Sequence, residues 1–280
     1  MTPYYQDDCV TLYHGRWQDV VAEFDLRADC VLSDPPYSAR THTGQHHGRK
    51  EAAYTSGGRP ILASRWIDYD HMTPEDVHEL VSELVPRVSG WHGYMTDSEL
   101  TTAYRDAFRA HGLTDFKPVH VVLKGQNVRL AGDGPSSWGV YMSCGAVCVT
   151  EPYEHGAYDL MVARPKHLSR SSGRSTWGTL PGAYTGYPFD PGQNALDRSK
   201  GVVGAKPIWL MQRVIGDYSR PGDTVLDPFS GGGTTGIAAR RLGRKAILIE
   251  AREGVCELAA KRLEGESKQL DLFGAVNVSP

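Results

Sequence analysis

The sequence predicts an α/β fold, a parallel sheet covered by helices on both faces, and three observations carry that prediction. Short apolar runs alternate with stripes of helical period along most of the chain. The run Val225-Leu226-Asp227 leads through Pro228-Phe229-Ser230-Gly231-Gly232-Gly233 into Thr234-Thr235-Gly236, the order of a strand, a glycine turn and a helix. The run Lys245-Ala246-Ile247-Leu248-Ile249 then ends in Glu250, about twenty residues after the turn, the spacing at which a Rossmann-like unit grips ribose hydroxyls. At 280 residues the chain is long enough for one large domain over residues 1–280, and a second is not required.

Taken in order, residues 11–33 supply a short strand, a linking turn of helix and the buried strand Cys30-Val31-Leu32. At the end of that strand stands Ser33-Asp34-Pro35-Pro36-Tyr37. The two prolines fix the backbone after Asp34 and bias it away from helix, so its carboxylate and the Pro35 carbonyl are expected side by side. Tyr37 adds a flat ring. An exocyclic amino group on a planar heterocycle would meet two acceptors and a stacking surface there, which is what a base rotated out of a duplex needs. The plainer reading is a proline-rich turn after a strand. Residues 38–65 hold few apolar side chains and carry Arg40, Arg49, Lys50, Arg59 and Arg65 against the single acid Glu51. They are expected to form a mobile loop that closes on the ligand, with a merely solvated surface loop as the alternative.

Thr73 as cap, Pro74 at the first position, the acids Glu75 and Asp76, and Val77, Leu80, Val81, Leu84, Val85 and Val88 on one face predict a helix. Trp91-His92-Gly93-Tyr94-Met95 reads as the next parallel strand, and Leu100, Ala103, Tyr104, Ala107 and Phe108 as a second helical stripe. Residues 119–123 and 140–149 read as two further strands. Between Leu160 and Phe189 there is no acidic residue, while Arg164, Lys166, Arg170 and Arg174 fall among serines, glycines and the aromatics Trp177, Tyr184 and Tyr187. Phosphates require cations, and base edges require arginine, amide and hydroxyl groups. Residues from about 150 to 205 therefore read as a target-recognition region, with a disordered linker as the alternative. Pro207 opens a helix with Ile208, Met211 and Ile215 inward, residues 237–242 and 255–263 are covering helices, and residues 264–280 form a C-terminal tail.

The net charge of -3 and a pI near 6.4 mean that any binding to nucleic acid comes from a local patch. The five cysteines, at 9, 30, 144, 148 and 256, are scattered, which suits a reduced cytoplasm, and Cys144 and Cys148 read as core thiols, with no metal site expected. No apolar run approaches the length of a membrane span.

Together, Asp34-Pro35-Pro36-Tyr37 and Phe229-Ser230-Gly231-Gly232-Gly233 resemble the motifs of the DNA amino-methyltransferases, which move a methyl group from S-adenosylmethionine to an exocyclic nitrogen of adenine or cytosine. The Asp-Pro-Pro-Tyr motif comes first here, an order similar to that of the circularly permuted beta group of the family. Lys206-Pro207 and Arg220-Pro221-Gly222-Asp223 also match. After Leu12-Tyr13-His14-Gly15, family members often carry an acid where this chain has Arg16.

The resemblance implies a Rossmann-like methyltransferase sheet with a DNA target-recognition insertion. It implies Asp34, Pro35, Pro36 and Tyr37 as catalytic residues. Asp227, Phe229, Gly231, Gly233 and Thr234 would cradle the methionine side of S-adenosylmethionine, with Glu250 on the ribose and Lys206 near the carboxylate. Arg40, Arg49, Lys50, Arg164, Lys166, Arg170 and Arg174 are the expected contacts to double-stranded DNA. The implied activity is site-specific methylation of adenine N6, as in restriction-modification, in a cytoplasmic bacterial or phage-encoded protein. Cytosine N4 is the runner-up, because the same chemistry serves both amines, and RNA or protein-glutamine methyltransferases share the Pro-Pro-Tyr grip. A homodimer is left open. Gln269-Leu270-Asp271-Leu272-Phe273 resembles the short peptide by which bacterial replication and repair proteins dock on the sliding clamp, with packing against the last helix as the alternative.

Overall fold

A computed structural model describes residues 2–39, 69–124, 155–166, 180–186 and 205–276. In chain order its elements are β1 (Tyr5–Gln6), β2 (Val10–His14), α1 (Trp17–Glu23), β3 (Cys30–Ser33), α2 (Pro74–Leu84), β4 (His92–Thr96) and α3 (Thr101–Ala110). Then follow β5 (Leu113–Asp115), β6 (Val119–Lys124), β7 (His155–Pro165), β8 (Ala183–Gly186), α4 (Ile208–Tyr218), β9 (Thr224–Asp227), α5 (Thr234–Arg241), β10 (Lys245–Glu250) and α6 (Glu253–Val276). They divide into two compact units, one of Met1–Ser33, Arg87–Trp91 and Asp190–Pro280, the other of Asp34–Pro86 and His92–Phe189. Each unit draws on segments distant in sequence, which no shift in composition marks.

In the first unit the strands lie in the order β1-β2-β10-β9-β3. β2, β10, β9 and β3 are parallel, and β1 is an antiparallel edge on β2. Val10, Leu12, Val31, Leu32, Val225, Leu226, Leu248 and Ile249 are buried, the near-continuous apolar runs that a sheet covered on both faces requires. The register sets Glu250 against His14 and Leu248 against Asp227. The carboxyl ends of the four parallel strands, His14, Ser33, Asp227 and Glu250, therefore lie along one edge of this sheet, where open α/β sheets bind ligands.

In the second unit β7 pairs antiparallel with β4 along one side, and with β6 and then β5 along the other. β8 adds parallel to β6. The wholly parallel sheet expected from the alternating pattern is thus corrected to a mixed one. Periodicity shows that a strand is buried but not which way its neighbour runs. Residues 155–165 of the expected target-recognition region are this central strand, with Leu160, Met161, Val162 and Ala163 buried. Also buried in this unit are Tyr94 and Met95 on β4, Val77, Leu80, Val81 and Leu84 on α2, and Tyr104 and Phe108 on α3. The Tyr94 ring stacks on Tyr104, with centroids 5.2 Å apart.

Helix α2 begins as read, with Thr73 and Asp76 forming a reciprocal capping box and Pro74 following the cap. It ends at Leu84, and residues Val85–Arg87 tighten into a 3-10 turn, so Val85 and Val88 are not on the helix. Pro86 cannot continue the α-helical hydrogen-bond ladder. At the other end of the chain α6 runs to Val276, past the expected boundary of the tail at residue 264. Among the described residues no helix is long and apolar enough to cross a membrane, and no group of three or more His, Cys, Asp or Glu could hold a metal ion.

Candidate active site

The glycine turn of the first unit is organised by Asp227, the last residue of β9, which is 3% exposed. Its Oδ1 accepts hydrogen bonds from Ser33 Oγ at 2.5 Å and from the Phe229 amide at 3.1 Å, and its Oδ2 accepts from Thr235 Oγ1 at 2.5 Å. One carboxylate thereby joins the end of β3, the turn and the first turn of α5. The turn folds back through Gly231 and Gly233, whose φ of 50° and 77° are left-handed values that favour glycine. The Gly233 amide donates to the Ser230 carbonyl and the Ser230 amide to the Ile249 carbonyl, both at 2.9 Å. Beneath the turn, the buried Arg262 of α6 donates through Nη1 to the Gly232 carbonyl and approaches Thr234 Oγ1 at 3.5 Å.

Beside the turn, Glu250 ends β10. Its Oε1 accepts from the amide and Nε of Arg252 at 2.9 and 3.0 Å, and its backbone carbonyl accepts from the Gly15 amide at 3.0 Å. Its Oε2 accepts no hydrogen bond among the described residues. Ser230 Oγ is buried and likewise without a partner among the described residues. Uncommitted polar atoms at a strand end and in a glycine turn fit a ligand with ribose hydroxyls and a charged tail. The Phe229 ring lies 6.4 Å from that of Trp17, Lys206 is buried just before Pro207, and Arg16 caps α1 without a side-chain bond.

In the second unit the chain leaves the β3 strand end at Asp34. Asp34 and Pro36 are half-buried and Pro35 is buried. The Tyr37 hydroxyl donates to Asp34 Oδ1 at 3.1 Å, and the ring expected as an open stacking surface is 8% exposed. The Tyr37 carbonyl accepts from the Met72 amide at 3.0 Å. Ser38, at the start of the expected mobile loop, is buried and bound by Asp97 through its amide at 3.0 Å and its hydroxyl at 2.6 Å. Burial pushes the nearby Tyr104 hydroxyl well above its ordinary pKa, with Tyr94, Asp34 and Asp97 adding to the effect.

Of the expected nucleic-acid contacts, Arg164 is half-buried on β7, its guanidinium 5.7 Å above the Phe116 ring, and Lys166 is exposed. Arg40, Arg49, Lys50, Arg170 and Arg174 lie outside the described residues, as do the strand read at 140–149, Cys144 and Cys148. Cys9, Cys30 and Cys256 are free thiols, and burial pushes Cys256 up to about 12. Sequence reasoning passed over Ser33, Ser38, Asp97, Thr235 and Arg262. Arg262 left one signal, an arginine between Ala259 and Leu263 on the apolar stripe of a helix.

The fold is shared with solved methyltransferases. The chain overlays the M1.HpyAVI–SAM complex with a TM-score of 0.58 at 18% identity, covering 91% of this chain and 98% of that one. It overlays the PvuII DNA methyltransferase, described as cytosine-N4-specific, with a TM-score of 0.55 at 14% identity, covering 98% and 94%. In sequence, residues 189–261 match the family described as DNA methylase (N6_N4_Mtase), in line with the motif resemblance to the DNA amino-methyltransferases. The Type II methyltransferase M2.DpnII of Streptococcus pneumoniae is 48% identical over 63 residues, 22% of this chain and 24% of that protein. The Type II methyltransferase M.BamHI of Bacillus amyloliquefaciens is 27% identical over 286 residues, 98% of this chain and 62% of that protein. The chain thus spans less than two thirds of the length of these curated relatives.

Proposed function

We propose that the chain is a site-specific DNA methyltransferase that transfers a methyl group from S-adenosylmethionine to the N6 amino group of adenine in a base rotated out of the duplex. The observation that carries the reading is the Asp34-Pro35-Pro36-Tyr37 segment at a strand end, with the Tyr37 hydroxyl on Asp34 Oδ1 at 3.1 Å. The lone pair of an exocyclic amine is delocalised into its ring, which makes the nitrogen a poor nucleophile. Asp34 Oδ2 and the Pro35 carbonyl accept its two N–H bonds and help it pyramidalise, while Tyr37 fixes the carboxylate through the other oxygen. Bound S-adenosylmethionine supplies an already activated methyl group, so alignment and fixed acceptors are what the protein contributes. Gly231, Gly233, Thr234, Glu250 and Lys206 would hold the cofactor, and Asp227 with Phe229 would shape the turn around it.

Double-stranded DNA is the proposed partner, with Arg40, Arg49, Lys50, Arg164, Lys166, Arg170 and Arg174 as its cationic contacts. A second reading, cytosine N4, is favoured by the overlay on the cytosine-N4-specific PvuII enzyme. The test is to incubate the protein with unmethylated DNA and isotopically labelled S-adenosylmethionine, digest the DNA and identify the labelled nucleoside by mass spectrometry. N6-methyladenine supports the first reading, N4-methylcytosine selects the second, and unlabelled DNA overturns both. Asp34→Ala is expected to abolish transfer while leaving cofactor affinity within a modest factor, and substantial turnover by this variant would remove Asp34 from the mechanism.

A further inference from the structure

Immediately after the amino-accepting motif, the chain is tied down by a carboxylate that the proposed mechanism does not use. Asp97 follows the last residue of β4, and its Oδ2 accepts from both the amide and the hydroxyl of Ser38, at 3.0 and 2.6 Å. Asp97 Oδ1 accepts from the Glu99 amide at 3.2 Å, so the carboxylate is itself oriented by its own loop. Two charge-assisted bonds to one residue fix its backbone and its side-chain rotamer together. One residue earlier, the Tyr37 carbonyl is held by the Met72 amide. The peptide between Tyr37 and Ser38 is therefore pinned on both sides, and with it the approach of the Tyr37 hydroxyl to Asp34 Oδ1.

We infer that Asp97 is a positioning residue for the methyl-accepting motif, acting through Ser38 to hold Tyr37 and Asp34 where a target amino group is received. The inference rests on the proposed function. The role inferred for Asp97 needs no contact with base or cofactor. Its contribution is to the geometry of the acceptors, and small misplacements of such groups slow the chemical step. A carboxylate suits the place because both donors of Ser38 converge on one oxygen.

The experiment measures kcat and KM for DNA methylation, cofactor affinity by calorimetry and melting temperature for Asp97→Ala, Ser38→Ala, Ser38→Thr and the Asp97→Ala/Ser38→Ala double variant. Asp97→Ala is expected to lower kcat on the order of ten- to a hundredfold with cofactor affinity unchanged. Ser38→Ala, which loses one of the two bonds, should lose less, and Ser38→Thr, which keeps the hydroxyl, should recover most of the rate. The double variant should be no slower than Asp97→Ala, since both changes break one contact. Where Asp97→Ala does not fold, the Ser38→Ala and Ser38→Thr contrast decides alone. Wild-type kcat in Asp97→Ala and Ser38→Ala, or a Ser38→Thr variant as slow as Ser38→Ala, overturns the positioning role. A loss confined to melting temperature overturns it as well. If the wild type transfers methyl and Asp34→Ala does not, these outcomes bear on Asp97 only, whereas a wild type that methylates no DNA overturns the proposed function first.

Discussion

Replacing Asp227 tests whether one buried carboxylate builds the glycine turn. It receives Ser33 Oγ, the Phe229 amide and Thr235 Oγ1, and it is almost wholly withdrawn from water. Asp227→Ala leaves three donors facing a void. The Phe229 amide has no freedom to find another acceptor without moving the turn, and each orphaned donor costs about 1–3 kcal/mol. Relief from burying a charge offsets part of this, so the net loss is about 3–5 kcal/mol. Asp227→Asn is a sharper probe. With its amide turned toward Thr235, whose hydroxyl can accept as well as donate, Oδ1 still serves Ser33 and Phe229. Only the charge assistance is lost, about 1–2 kcal/mol. Thermal unfolding should therefore place Asp227→Asn slightly below the wild type and Asp227→Ala lower by roughly 10 °C, and calorimetry with S-adenosylmethionine should weaken in the same order. An Asp227→Ala protein that melts with the wild type, or two variants of equal stability, would refute the reasoning.

Two further outcomes concern the core. Alanine at Gly236 would gain about 1 kcal/mol of helix propensity, but its Cβ would lie 2.8 Å from Leu248 Cδ1 and 3.0 Å from Leu263 Cδ2. Both leucines are fully buried, so overpacking, which costs about 1–3 kcal/mol, should prevail, and urea unfolding that shows Gly236→Ala stabilised would contradict this. His92 is wholly buried, and burial lowers its pKa from the ordinary 6.5 to about 3. Between those values the unfolded chain binds a proton that the folded one does not, so stability falls as the pH drops below 6.5. From pH 7 to 5 the loss is about 2 kcal/mol, and His92→Phe should remove that part of the decline. Parallel pH curves for the two proteins would show that His92 does not titrate this way.

What was legible in the sequence was local. The threonine cap at Thr73, the glycine turn and the strand ending in Glu250 are written within a few consecutive residues, and each forms where it was read. Pro86 is a local signal of the same kind, ending the helix although the apolar stripe continues through Val85 and Val88. The bonds that shape the candidate site are of another kind. Ser33 and Asp227 are 194 positions apart and Ser38 and Asp97 are 59 apart, and a serine or aspartate at a strand end carries no mark of its partner. The orientation of β7 was hidden for a related reason. It falls in the stretch read as a target-recognition region from its cations and lack of acids after Leu160, and composition of that kind does not show that three strands pair with it.

Residues 264–280, expected as a tail, pose the last question. Among the residues of α6 whose side chains are described, those up to Lys268, the last buried apolar one after Cys256 and Ala259 is Leu263, and the helix continues to Val276. Beyond Leu263 the described anchors are Glu266, bound by Arg241 through two bonds at 2.6 and 2.9 Å, and the Glu264–Lys268 pair at 2.7 Å. The second is exposed and contributes little, while the first is a bidentate pair away from full solvent, worth about 1 kcal/mol. A chain ended after Lys268 keeps both anchors and should melt close to the full-length protein, whereas one ended after Leu263 should lose roughly that amount. A large drop on the first truncation would mean that residues 269–276 pack as structure, the alternative to clamp docking. Docking on a sliding clamp would require residues 269–273 to leave the helix, which ends at Val276, and a short terminal stretch of helix unwinds at small cost unless its side chains pack. A peptide of residues 268–274 that binds a purified bacterial clamp, and loses binding with Leu272→Ala and Phe273→Ala, would establish the contact, and a peptide with no affinity would remove it.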